Sequence, residues 1–245
     1  MVDLRESLAP LADLVRARTR AGGPVVVGLA GGVAVGKTAT SQMLASALVD
    51  RHGLRVEVVS TDGFLMANAE LDRLGLSARK GFPESYDRER LVGFVTEVRA
   101  GRPVGAPRYD HLIYDVVVDS GALVDGPDVL VLEGVNALQE PVAEFLDLAV
   151  YLHADEDDLR RWYHARIRRL RAEAPGDGSS FYDGFTAMTD DEFAVVADGV
   201  WDSVNHPNLV DHIEPSRARA DVVVEKAPDH SIRALHVARD RSRPV

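Results

Sequence analysis

With 245 residues, 46% of them apolar, the chain can bury the core of one large α/β domain or two small ones. Its 28 basic and 39 acidic residues leave a net charge of −11, which argues against a nucleic-acid or anionic-membrane partner. No cysteine is present, so disulfides, thiolate metal sites and cysteine nucleophiles are excluded; no apolar run approaches a membrane span and Met1–Pro10 has no signal-type core, so the expectation is a soluble, cytoplasmic protein. Asp3 to Arg20 has the periodicity of an amphipathic helix, with Leu4, Leu8, Leu11 and Val15 on one face, Pro10 as its kink or split, and Gly22-Gly23-Pro24 as its end.

Val25–Ala30 reads as a buried strand, and Gly31-Gly32-Val33-Ala34-Val35-Gly36-Lys37-Thr38 follows it as a G-x-x-x-x-G-K-[ST] phosphate-binding loop. Its glycines let backbone N–H groups point into one concavity, and the helix that follows, Thr38–Arg51, aims its positive end there. Lys37 is placed to reach β- and γ-phosphates, and the Thr38 hydroxyl to reach Mg²⁺. The loop predicts a nucleoside triphosphate and leaves the acceptor undefined. Only Lys37, Lys80 and Lys226 are lysines against 25 arginines, so each marks a place where a compact ammonium can matter, or merely the base composition of the genome.

Arg55–Ser60 is the second strand, running into Thr61-Asp62-Gly63-Phe64. Ligands of open parallel sheets lie beyond the strands' carboxyl ends, so Asp62 is either a carboxylate facing the phosphate loop or the first half of a turn-forming Asp-Gly pair. A short helix is expected over Asn68–Leu74. Arg79–Asp87 is aperiodic and mixes charge with aromatics, as lid and substrate loops do. Asp87 caps a helix over Arg88–Ala100. Pro103–Asp119 alternates like a β-ribbon inserted between the second and third core strands; His111 within it reads, on the residues alone, as an ordinary hydrogen-bonded surface histidine rather than a ligand-binding one.

Asp128–Leu132 is a buried parallel strand, and Glu133 at its end is either exposed or holds Mg²⁺ or its water. A short helix at Pro141–Phe145 and a strand at Leu148–Leu152 follow. Asp155 caps a helix over Glu156–Arg171 whose arginines, Arg166 among them, form a solvated face or reach phosphates. Ala172–Ser180 is expected to be a mobile loop, Thr189 to cap a helix to about Val204, Arg219–Glu225 to be a fifth strand, and Ser231–Ala238 an edge strand. The expected fold is α/β: a P-loop NTPase-type parallel sheet with helices on both faces and a β-ribbon/lid insertion at about 64–125. The expected organisation is an N-terminal helix (1–24), one domain (25–238) and a frayed tail (239–245).

TDGF, KGFPESYD, Y-D-HLIYD-V and LEG-N-LQ, with GGVAVGKT upstream and NHPNLVDHIEPSRAR downstream, together resemble the bacterial type I pantothenate kinases, over about Val25–Val237. That family sits in the P-loop kinase group with uridine kinase and phosphoribulokinase. The resemblance implies ATP- and Mg²⁺-dependent phosphorylation of pantothenate's primary hydroxyl, the first committed step towards coenzyme A. It also implies a cytoplasmic homodimer inhibited by coenzyme A. Residue by residue, it implies Lys37 and Thr38 at triphosphate and Mg²⁺, Asp62 as catalytic base and Glu133 at the metal. It implies Tyr109, His111, Tyr114, Tyr163 and Asn205 around the substrate, Arg166 on the transferred phosphoryl group, and Lys226 and His230 near the nucleotide base. Ile167 and Leu170 stand where the family has two Phe residues, Tyr182 roughly where another is expected, and Gln42 where it has an Arg used around nucleotide and coenzyme A. Only 24 residues precede the first strand, fewer than the family's helical extension. Two other readings fit the motifs less fully: a kinase of another small alcohol, such as a nucleoside or pantothenate analogue, and a catalytically weak nucleotide- or coenzyme A-binding regulatory protein.

Overall fold

The computed structural model describes residues 4–19 and 23–238. Their order is α1 (Leu4–Ser7), α2 (Ala9–Arg18), β1 (Val25–Gly31), α3 (Lys37–His52), β2 (Val56–Ser60), α4 (Asn68–Leu74), α5 (Arg88–Arg99), β3 (Val104–Asp110), β4 (Asp115–Val124), β5 (Val129–Glu133), β6 (Leu148–His153), α6 (Glu156–Ala172), α7 (Asp190–Val200), β7 (Val222–Lys226) and β8 (Ile232–Val237). The expected tail and Gly22 lie outside the described residues.

Every residue of β1 and β5 is buried, so both faces of the sheet centre are covered, as continuous Val/Leu runs require. The main sheet has the order β2-β5-β1-β6-β7-β8. β2, β5, β1, β6 and β7 run parallel, and β8 returns antiparallel at the edge. Helices cover both faces; α3 packs on β1, β2 and β5, with α2 against both α3 and β1. β1 is flanked by strands from later in the chain on both sides, so a crevice opens at its carboxyl end. The ribbon β3–β4 forms a separate two-stranded sheet between β2 and β5 in chain order, where the alternation placed it.

The N-terminal helix is split around Leu8, one of the two outcomes expected of Pro10, because a proline fits only a helix's first turn. Three local expectations are corrected. Asp155 occupies the cap position of α6, but its side chain makes no cap bond; Glu156, Asp157 and Asp158 supply first-turn negative charge instead. α7 ends at Val200 rather than Val204, and the chain continues through wide helical turns at Trp201–Asn205 and Leu209–Ile213. Pro207 between them lacks an N–H for an ordinary α-helical bond. The last parallel strand starts at Val222 because Glu214–Arg219 is helical and Asp221 clamps Ala149 of β6 through its main chain at 2.8 Å and its carboxylate at 2.9 Å. The loop expected after α6 is tied to Asp183, whose carboxylate accepts from the N–H groups of Gly176, Gly178 and Ser180 at 2.7–3.0 Å.

Candidate active site

The phosphate loop spans the turn from β1 into α3. Gly36 adopts φ +91°, a region open to glycine, which lets the helix begin at Lys37 directly after the turn. Lys37 Nζ folds back over the loop and donates to the carbonyls of Gly31 at 3.1 Å and Gly32 at 2.9 Å. Gly31, Gly32 and Val35 are buried, while Val33 and Ala34 are half-buried on the loop's outer turn. Burial pushes the Lys37 ammonium below its ordinary value, Glu133 and Asp62 pull it back up, and Arg166 adds to the depression. Those four charges therefore share one electrostatic neighbourhood.

Glu133 closes β5 and lies in register with Leu29 of β1 and Ser60 of β2, at the three strands' common end. It is 4% exposed and accepts a hydrogen bond from Thr38 Oγ1 at 2.8 Å. Burial raises its carboxyl above the ordinary Glu value, opposed by Lys37 and by hydroxyls of Thr38 and Ser60. One hydroxyl and one carboxylate suit Mg²⁺, which keeps most of its waters and takes its remaining oxygens from phosphates. No cluster of three or more His, Asp or Glu able to hold a metal occurs among the described residues.

Asp62 sits in the single helical turn Thr61–Phe64 after β2. The turn is pinned from two sides. Buried Thr61 donates through Oγ1 to Asn136 Oδ1 at 2.5 Å, and the Tyr86 hydroxyl donates to Asp62 Oδ1 at 3.4 Å. Burial and the Asp62 charge push the Tyr86 phenol well above its ordinary range, so it remains a donor. Gly63 lets the ribbon lie directly on the turn: a Cβ there would stand 2.2 Å from the Pro107 carbonyl oxygen.

Two residues beyond that contact begins an aromatic group. The Tyr109 ring lies 5.0 Å from His111 and 6.2 Å from Tyr114, both edge-on, and Tyr114 stacks on Phe181 at 4.5 Å. Arg166 crosses from α6 to donate through Nη2 to His111 Nε2 at 2.9 Å. Burial and the Arg166 charge push His111 down, which favours the neutral acceptor form. Burial raises the phenols of Tyr109 and Tyr114, with Asp62 adding to both. Tyr163, one turn before Arg166, is buried against Trp201; Asn205 lies beside it, with an amide nitrogen that completes no well-formed hydrogen bond. Ile167, Leu170 and Tyr182 are buried.

On the other side of the loop, the β7–β8 turn, which begins after Lys226, brings His230 to the start of α3. His230 stacks on Trp162 at 3.8 Å, and its Nδ1 is 3.9 Å from the Cβ position of Gly36. Trp162 Nε1 fixes the turn by donating to the Pro228 carbonyl at 3.2 Å. Burial lowers both the Lys226 ammonium and the His230 imidazole.

Residues 26–173 match the profile of the Phosphoribulokinase / Uridine kinase family. A pantothenate kinase of Sorangium cellulosum is 49% identical over 227 residues, which cover 88% of this chain and 73% of that protein. One from Streptomyces coelicolor is 43% identical over 231 residues, covering 89% and 70% respectively. The chain belongs to the pantothenate kinase family. Its fold is shared with D-glycerate 3-kinase from Cryptococcus neoformans var. grubii, at a TM-score of 0.69 and 15% identity over 97% of this chain and all of that one. It is shared also with phosphoribulokinase from Rhodobacter spheroides, at a TM-score of 0.52 and 17% identity over 83% and 70%.

All the residues that the family resemblance singled out lie around the carboxyl end of the sheet or on the elements folded over it. Four supports of that site were not singled out: Tyr86, Thr61, Asn136 and Trp162. Thr61, Tyr86 and Asn136 lie inside the motifs TDGF, KGFPESYD and LEG-N, so a signal was present, but no periodicity shows which neighbour they meet. Backbone strain marks the same region. The described non-glycine residues with positive φ are Ala34 at 65°, Tyr114 at 57° and His230 at 65°, one each on the phosphate loop, the ribbon and the β7–β8 turn.

Proposed function

We infer that the protein transfers the γ-phosphoryl group of ATP to the primary hydroxyl of pantothenate, the reaction that opens coenzyme A biosynthesis. The observation that carries this reading is the convergence of Lys37, Glu133, Asp62 and Arg166 at one end of the sheet, facing an aromatic ribbon. The triphosphate occupies the main-chain cradle, and Lys37 exchanges the carbonyls of Gly31 and Gly32 for phosphate oxygens. Thr38 and Glu133 would hold Mg²⁺, which supplies charge neutralisation to the triphosphate when bound. Asp62 accepts the hydroxyl proton as that oxygen bonds to the γ-phosphorus and the bond to the β-phosphate oxygen breaks. The Tyr86 hydroxyl orients the Asp62 carboxylate. Arg166 leaves His111 and balances charge on the phosphoryl group in transit. Tyr109, His111, Tyr114, Tyr163 and Asn205 line the acceptor, while Trp162, Lys226 and His230 border the base.

This division of labour uses positioning and electrostatics, which suffice for a loose phosphoryl-transfer transition state. Feedback by coenzyme A, a homodimer and a cytoplasmic location belong to the same reading. Among the described residues, no helix is long and apolar enough to cross a membrane. The deciding experiment is a mass-spectrometric screen of ATP with candidate alcohols. Phosphorylated pantothenate, formed with stoichiometric ADP, is the expected product; phosphorylation of a different alcohol in preference overturns the assignment.

A further inference from the structure

The segment Arg79–Asp87 does more than deliver Tyr86 to Asp62. Its interior is locked: Phe82 and Ser85 are fully buried, Ser85 Oγ donates to the Phe82 carbonyl at 2.7 Å and accepts from Gly81 N at 2.9 Å, and Asn208 Nδ2 holds the Gly81 carbonyl at 2.8 Å. From this platform the buried Lys80 reaches the other face of the acceptor region. Its Nζ donates to the Tyr114 carbonyl and to Asn68 Oδ1, both at 2.5 Å, and lies 4.1 Å from the Tyr114 ring centre and 5.0 Å from that of Tyr109. Asn68 doubles the grip. Its Nδ2 donates to the same Tyr114 carbonyl at 3.0 Å, and its main-chain N–H donates to Asp115 Oδ1 at 3.0 Å. The residue so held is the ribbon's strained position, Tyr114 at φ 57°, a conformation a bulky side chain adopts only when its surroundings impose it.

We propose that Lys80 is a positioning residue for the acceptor: with Asn68 it clamps the Tyr114 carbonyl and so fixes the ribbon turn bearing Tyr109, His111 and Tyr114 relative to Asp62. The proposal rests on the reading of that ribbon as the acceptor wall. One rigid loop then sets both halves of the acceptor site, with Tyr86 on the carboxylate and Lys80 on the wall. A lysine suits the place and an arginine does not. Three compact donors spread over two oxygens and two ring faces need a point charge, not a planar fork, and this chain otherwise uses arginine for 25 of its 28 cations.

The charged and titratable groups facing this ammonium are Asp115, Asp62, Tyr109 and Tyr114. Burial lowers Lys80 to about 8 despite the two carboxylates. It is therefore protonated at neutral pH, and the clamp weakens as pH rises through that value.

The test compares wild type, Lys80→Met and Asn68→Ala by pantothenate-dependent ADP release across pH 6.5–9.5. Lys80→Met is expected to raise the pantothenate KM by about tenfold, leave the ATP KM within about twofold, and abolish the wild type's alkaline fall in kcat/KM for pantothenate near pH 8. Asn68→Ala is expected to raise the same KM by about threefold while keeping the alkaline fall, because the ammonium is still there. It also carries the test if Lys80→Met does not fold. An unchanged pantothenate KM in either folded variant overturns the proposal, as does a parallel rise in both substrates' KM. Wild-type protein that fails to phosphorylate pantothenate overturns the assignment of function instead, and is read before any variant is made.

Discussion

At Gly63 the turn bearing Asp62 lies directly against the ribbon, and adding one methyl group there should uncouple them. In Gly63→Ala the new Cβ would meet the Pro107 carbonyl oxygen at 2.2 Å, its carbon at 2.7 Å and the Arg108 nitrogen at 3.3 Å. All three are main-chain atoms, so no rotamer change relieves the contact. Restoring ordinary van der Waals separation requires the ribbon and the Asp62 turn to part by about 1 Å. Overpacking of this kind costs about 1–3 kcal/mol, which for a chain of this size is about 2–4 °C of Tm per kcal/mol. The catalytic cost should be larger, because a misplacement of about 1 Å between reacting groups lowers rates by about 10²-fold. The assay is pantothenate-dependent ADP release beside thermal melting, with Gly93→Ala as the control. Gly93 lies within α5 with nothing near its Cβ position, so alanine there should stabilise by about 0.5–1 kcal/mol and leave turnover alone. A Gly63→Ala protein with wild-type kcat/KM and wild-type Tm would refute the idea that ribbon placement against Asp62 governs the reaction.

Other consequences are equally open to measurement. Asp62→Asn should lower kcat by about 10²–10⁴-fold, the span of general-base contributions, while ATP binding measured by calorimetry stays close to wild type; near-normal turnover removes Asp62 as the base. Because burial raises Glu133 above its ordinary 4.5, and the metal needs the ionised form, kcat/KM for Mg·ATP should fall on the acid side at a pH above 4.5; a limb at or below that value counts against Glu133. What the protonated Glu133 contributes is fully present below 4.5 and is lost as pH rises through the folded-state value, so Glu133→Gln should gain Tm relative to wild type between pH 4.5 and 7. Gln42 is exposed on α3, one turn beyond Thr38, so an arginine can be placed there without repacking. Gln42→Arg should strengthen inhibition by coenzyme A through added charge near its phosphates, and an unaltered inhibition constant would reject that role.

The sequence was most informative where chemistry is local in the chain. A strand, six residues of turn, Lys37-Thr38 and a helix must be contiguous to cradle a phosphate, so Gly31–Thr38 could be assigned without tertiary information. Buried Val/Leu runs announced β1, β5 and β6, because strands covered on both faces need no alternation. Glu133 and Asp62 were located correctly at strand ends, yet remained ambiguous between a site and a turn, since either role uses the same residue in the same place.

What only the tertiary structure decided is which distant segments meet. Asn136 reaches Thr61 across 75 residues, Arg166 reaches His111 across 55, and Lys80 reaches Tyr114 across 34. Nothing in hydrophobic periodicity encodes such partners, because they are polar contacts made after the sheet order has been set by packing. The strain at Tyr114 was hidden for the same reason: a left-handed tyrosine follows from the clamp around it, not from its own propensity. Local sequence thus specified the phosphate loop, and long-range packing specified the aromatic ribbon to which the proposed function gives the acceptor.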